Sequence, residues 1–152
     1  MKYWLMKSEP ETYSLDQLKK DKTTLWEGVR NYQARNFMMN DMKVGDKVLF
    51  YHSNATPPGV AGLAIVSRLA TPDPSAFDKK SPYYDAKSKK EKPSWYCVEV
   101  EYVSHFKTLV SLSDLREEPK LSEMLVLKKG QRLSIQPVTK GEYDLICKMG
   151  QK

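Results

Sequence analysis

The sequence predicts a single α+β domain spanning residues 1–152, with five or six strands in a small, strongly bent or closed sheet and helices at its periphery. Three observations predict it. A chain of 152 residues suits one domain and is long enough for a sizeable core. Apolar residues make up 40% of it, which marks a globular rather than a disordered chain. Strand-patterned segments alternate irregularly with helix-cap patterns, with no internal repeat, and so few strands avoid exposed edges by bending or closing.

The elements follow in order. "KYWLMK" alternates loosely and carries large β-formers, so the first strand runs from Lys2 to Lys7. Ser14, with Gln17 three residues on, forms a capping-box pattern; Leu15 and Leu18 share one face of the short helix behind it. "NYQARNFMMNDM" reads as a second helix whose Met38, Met39 and Met42 mix core contacts with helix-end packing. A turn at Gly45-Asp46 leads into a strand from Lys47 to His52. Pro57-Pro58-Gly59 breaks that strand, and "AGLAIVSRLA" continues as a buried partner. Thr71 to Pro93 shifts to Pro, Asp, Ser and Lys, a long loop of the kind that is usually functional or disordered. "WYCVEVEYVSHF" is the clearest strand: Tyr96, Val98, Val100 and Tyr102 take one face, and Cys97, Glu99, Glu101 and Val103 the other. "SLSDLREEP" and "LSEMLVLKK" are short helical turns separated by Pro119. "QRLSIQPV" is a last strand, and Thr139 with Glu142 caps a closing helix.

Composition narrows the function. There are 25 basic against 19 acidic residues, a net charge of +6, which favours a polyanionic partner. Part of that excess sits in "DKKSPYYDAKSKKEKP", which would serve equally as a solvated loop. The longest apolar stretch, near "GVAGLAIV", is too short to span a membrane, and Lys2 and Lys7 interrupt any signal-peptide core. A cytoplasmic monomer is expected. Cys97 and Cys147 read as buried thiols rather than a disulfide. Two distant histidines and two distant cysteines lack zinc-site spacing, so no metal is expected, and no phosphate-binding or dinucleotide-binding glycine motif is present. His52 beside Ser53 is poorly placed as a base for it, since adjacent strand residues face opposite ways. No cofactor is expected and nothing reads as an enzyme.

"WEGVRNYQARN" stands out: Trp26, Arg30, Asn31, Tyr32, Gln33, Arg35 and Asn36 crowd flat rings and hydrogen-bonding forks into one short stretch. Together with "KSEP" (Lys7–Pro10), "VLFYHS" (Val48–Ser53), "FDKKSPYYDAKS" (Phe77–Ser88) and "LSIQPVT" (Leu133–Thr139), it resembles the EVE domain family of the PUA-like fold. The motifs fall in order along nearly the whole chain; "DAKS" departs from the family's "DPKS". The resemblance implies a PUA-like barrel with peripheral helices, kinship with YTH domains that cage a methylated adenine, and binding of a modified base in DNA or RNA without catalysis. Carried over by motif, the ligand site comprises Lys7, Ser8, Glu9 and Pro10; Trp26, Val29, Arg30, Asn31, Tyr32, Ala34, Arg35 and Asn36; and Tyr51, His52 and Ser53, with Tyr83 and Tyr84 as rim or lid.

The residue chemistry suits that role. A base taken from a strand needs a flat apolar wall, an edge-reading fork and positive charge for phosphates. Trp26 would be the wall, Asn31 and Asn36 the forks, and Arg30 and Arg35 the phosphate grips. Each has a plainer role: Trp26 as core, the arginines in surface ion pairs, Asn31 as a helix cap, Tyr51 and His52 as half-buried strand residues. Two other functions use the same fold: an enzyme acting on a nucleobase with Glu9 as base, and a protein-interaction module.

Overall fold

A computed structural model describes residues 1–151. Among these residues six strands form one sheet: β1 (Tyr3–Ser8), β2 (Thr23–Leu25), β3 (Lys47–His52), β4 (Gly59–Pro72), β5 (Tyr96–Ser111) and β6 (Ile135–Val138). Their order is β2-β5-β4-β3-β1-β6, with β1 parallel to β3 and the other neighbours antiparallel. The sheet is therefore mixed and open; the closed alternative does not occur. Its edges are β2 and β6, of three and four residues, too short to offer a long unpaired ladder. Four register shifts between β4 and β5 and one between β3 and β4 bend the middle of the sheet. At Gly62 the β5 backbone comes so close that a Cβ would sit 2.2 Å from the Ser104 carbonyl oxygen, and only glycine fits.

Among the described residues four α-helices cover the sheet: α1 (Leu15–Asp21), α2 (Tyr32–Asn36), α3 (Leu112–Glu117) and α4 (Lys140–Gly150). Alternation along β1 and β3 sorts the core into two layers. Trp4, Met6, Val48 and Phe50 pack with Leu15 and Leu18 of α1 and Ala34 of α2. Leu5, Leu49 and Tyr51 face the other way, against Leu115 of α3 and Tyr143 and Ile146 of α4. The expected single helix over residues 31–42 is instead α2 followed by a π-helical turn, Phe37–Asp41, which buries Met38. The last strand is shorter than expected, starting at Ile135, while β5 runs on to Ser111. The Gly45-Asp46 turn is fixed by the buried Asp46 carboxylate, which accepts from the Trp4 indole and from the Lys2 and Lys43 backbone N–H groups. The cysteines are unpaired, with Cys97 buried and Cys147 half-buried.

The two capping boxes expected from the sequence differ. At α4, Thr139 Oγ1 accepts from the Glu142 N–H at 3.1 Å and the Glu142 carboxylate accepts from the Thr139 N–H at 2.9 Å. At α1, Ser14 accepts from the Gln17 N–H, but the Gln17 amide donates forward to Asp21, a charged acceptor one turn on, so only half the box forms. Thr139→Ala is expected to cost about 1 kcal/mol, since α4 seals the second core layer. Thermal melting checks it; a loss of about 2–4 °C is expected for a domain of this size.

Candidate functional site

Because β1 and β3 run parallel, their C-terminal ends lie side by side, Lys7 opposite Tyr51 and Ser8 opposite His52. Beyond those ends opens a cavity of about 860 Å³. Lys7 and Ser8 enter it from the end of β1 and Glu9 from just beyond, Trp26 to Arg30 from the segment after β2, and Ser53 and Asn54 from just past β3. Tyr83 reaches it from the long loop, and Gln131, Arg132 and Ser134 from the segment before β6. Backbone bonds from Lys7 N to Ser134 O at 2.8 Å and Ser53 N to Ser8 O at 3.0 Å zip these segments together.

The indole of Trp26 keeps only 8% of its surface; it packs edge-on against Phe50 at 5.5 Å and also lines the cavity. It is both core and wall. Gly28, two residues on, has φ +85°, and a Cβ there would lie 2.6 Å from the Tyr83 ring. Glycine is therefore what lets the Tyr83 ring close this side of the cavity. Tyr13 lines the same space; burial pushes its hydroxyl up to about 12. The Glu27 carboxyl also lines it and is raised, by burial first and then by Asp73, with Arg30 opposing.

Beneath the rim lies a buried ion pair. Asp73 is fully enclosed and accepts from Gly28 N–H, Ser75 N–H, Ser75 Oγ–H and Arg30. Burial, the largest single influence, pushes its carboxyl up, but the hydrogen bonds from Ser75, Gly28 and Arg30 together hold it below its ordinary value. The Arg30 guanidinium donates also to the Val29 and Tyr83 carbonyls and to Ser75. It ties the long loop to the segment after β2.

The family model of the EVE domain matches residues 2–149. The chain belongs to the EVE domain family. Human thymocyte nuclear protein 1 is 40% identical over 168 residues, covering 99% of this chain and 74% of its own length. Among solved structures, a hypothetical protein from Leishmania major is 50% identical with a TM-score of 0.95, covering 99% of this chain and 95% of its own. Human THYN1 protein in complex with 5-methylcytosine containing DNA is 41% identical with a TM-score of 0.92, covering 100% of this chain and 99% of its own. The α+β PUA-like class expected from the motifs holds for this EVE domain.

The EVE domain brings together only part of the site set out from the motifs. Lys7, Ser8, Glu9, Trp26, Val29, Arg30, Ser53 and Tyr83 line the cavity. Tyr51 lines an adjoining depression instead. His52, its neighbour on β3, faces the opposite side and accepts from the Leu15 N–H at 3.2 Å, capping α1. Asn31 is the cap of α2, accepting from Ala34 N–H, and Ala34 is buried in the core. Tyr32 stacks on Trp95 at 4.9 Å, and Arg35 lies over the Tyr32 ring while bonding Asn36 and the Ser94 carbonyl. Pro10 and Tyr84 do not line the cavity. With Asn31 capping α2 and Arg35 packed over the Tyr32 ring, neither lines the cavity. Arg30 was expected to grip phosphate, and its N–H groups are instead spent on protein acceptors. Sequence reasoning passed over Tyr13, Glu27, Asn54, Gln131 and Arg132. Only Glu27 lay inside a quoted pocket motif.

Proposed function

We propose that this EVE domain is a non-catalytic reader that binds one modified base of a nucleic acid in the cavity beyond β1 and β3. The observation that carries the reading is the human relative's structure with 5-methylcytosine-containing DNA, which matches this fold along the whole chain. The cavity supplies the fit. Trp26 offers a π-face to any base, and stacking on one aromatic is worth roughly 1–3 kcal/mol. Glu9 and Glu27 offer acceptors, the partners that an exocyclic amine such as that of cytosine needs. Ser8, Ser53, Asn54 and Gln131 add neutral donors and acceptors around them.

The reading takes the protein as a monomer without catalysis. His52 and His105, the two histidines of the chain, have fixed partners away from the cavity: His52 the Leu15 N–H, His105 Tyr102 and Asp16. Among the described residues no group of three or more His, Cys, Asp or Glu could hold a metal ion. Among those residues, too, no helix is long and apolar enough to cross a membrane. We place the protein in the cytoplasm; cell fractionation tests this, and nuclear accumulation would revise it.

The test is a panel of oligonucleotides, single- and double-stranded, each carrying one modified base. Tight binding confined to one modification is expected, and equal binding across the panel would sink the reading. Binding should weaken with salt, log affinity falling by about 0.9 per phosphate contact on duplex or about 0.7 on single strand for each tenfold rise. Conversion of the bound base to a product would replace the reader with an enzyme using Glu9 or Glu27 as base.

A further inference from the structure

Arg30 is paired with Asp73 and donates to protein acceptors, so the positive charge for a nucleic-acid strand is sought in other residues. A second depression, of about 600 Å³, adjoins the first cavity, and Lys7, Ser53, Asn54 and Gln131 line both. The two hollows are therefore contiguous, with these residues between them. The lining of the second includes four cations, Lys7, Arg116, Lys128 and Lys129, and no carboxylate. We propose that this depression is a phosphate track that holds the sugar–phosphate backbone next to the base seated in the first cavity, so that the ligand is a base within a strand and not a free nucleoside. The proposal rests on the base-reading function.

Charge is the first support. Among the described residues Lys7, Arg116 and Lys129 form no ion pair, and Lys128 has only a 3.7 Å contact with the mostly exposed Glu123. Like charges gathered in one hollow repel, and an anion between them removes the repulsion. Lys7 is the second support. It sits half-buried near the end of β1, burial lowers its pKa, and its ammonium lies 6.0 Å from the centre of the Tyr51 ring. A half-buried ammonium without a carboxylate is stabilised by an incoming phosphate at little further desolvation cost. The third support is the rest of the lining. Tyr51, Leu112, Val126 and Leu127 give a partly apolar wall, which suits sugar carbons between charged phosphates. By contrast, the depression that contains Lys87, Lys89 and Lys92 shares no residue with the base cavity.

The experiment compares wild-type protein with two triple variants, Arg116→Ala/Lys128→Ala/Lys129→Ala and Lys87→Ala/Lys89→Ala/Lys92→Ala. All six side chains are exposed, and the folded state of each variant is checked by melting. The probes are an oligonucleotide with a single 5-methylcytosine, titrated over a range of salt, and 5-methyl-2′-deoxycytidine as free nucleoside. The track variant is expected to bind the oligonucleotide with a log–log salt slope shallower by about 2–3, at about 0.7–0.9 per lost contact, while its nucleoside affinity stays unchanged. The loop variant is expected to keep most of the wild-type slope. An unchanged slope in the track variant, a parallel loss of nucleoside binding, or a slope lost only in the loop variant would each overturn the track. Wild-type protein that ignores the modified oligonucleotide at every salt concentration overturns the base-reading function itself, and the track with it.

Discussion

Asp73→Ala is expected to destabilise the protein by about 3–5 kcal/mol, the usual cost of removing one partner from a buried ion pair. Asp73 is fully enclosed while the Arg30 side chain keeps 23% of its surface, so the deletion leaves a guanidinium partly withdrawn from water with no counter-charge. The Gly28 and Ser75 N–H groups lose their acceptor at the same time. Since Arg30 also fastens Tyr83, the cavity rim should loosen before the rest of the sheet. Urea denaturation measures the global cost, and amide hydrogen exchange around Gly28 and Tyr83 measures the local one.

The same residue sets an acid limb. Its folded carboxyl lies below its ordinary value, whereas the unfolded chain titrates near about 3.9. The native state therefore binds fewer protons than the unfolded state between those two values. The Asp73 contribution is fully present above pH about 4 and fades as pH falls through the folded value. The gap between wild-type and Asp73→Ala stabilities should thus narrow as pH falls below about 4. A gap that stayed constant from neutral pH down to pH about 2 would show that the deletion acts by lost packing and not by lost charge.

How much of this was legible depends on the range of the interactions. The bounds of β3, the Gly45-Asp46 turn and the Thr139 cap are written in contiguous residues, and each stands where it was expected. β2 was missed because three residues carry no periodicity; Thr23–Leu25 becomes a strand only by pairing with Glu99–Glu101 of β5. The long loop was legible as a loop, but not what holds it. Asp73 reads as a turn residue in "TPDP", while its decisive partners lie 43 and 45 residues away. Trp95 Nε1–H donates to Asp85 at 2.7 Å, and Asp73 N–H to the Trp95 carbonyl at 2.9 Å, which closes the loop on itself. The motif stretch around Trp26 was rightly singled out as unusual. Half of its polar groups, however, meet local demands: a cap at Asn31 and an aromatic sandwich at Tyr32 and Arg35. A run of forks and rings looks the same in sequence whether it holds a ligand or holds a loop.

Trp26→Ala should carry the other large effect, and on two readouts at once. As a stacking wall alone, Trp26 would on truncation weaken base binding far more than folding. The packing changes that balance. With 8% of its surface left, an edge contact to Phe50 and a place in the larger core layer, the indole leaves a cavity when removed, at a cost of about 3–5 kcal/mol. Its exposed remainder lines the base cavity, so the folded fraction should also lose roughly 1–3 kcal/mol of affinity for a modified oligonucleotide if the ring stacks on the base. Trp26→Phe separates the two effects. It refills part of the core and keeps a smaller π-face, so stability should recover more fully than affinity. Urea denaturation and binding measured well below the melting temperature give both numbers for each variant. A Trp26→Ala protein as stable as wild type would remove the indole from the core; one that is less stable yet binds the oligonucleotide as wild type does would remove it from the wall.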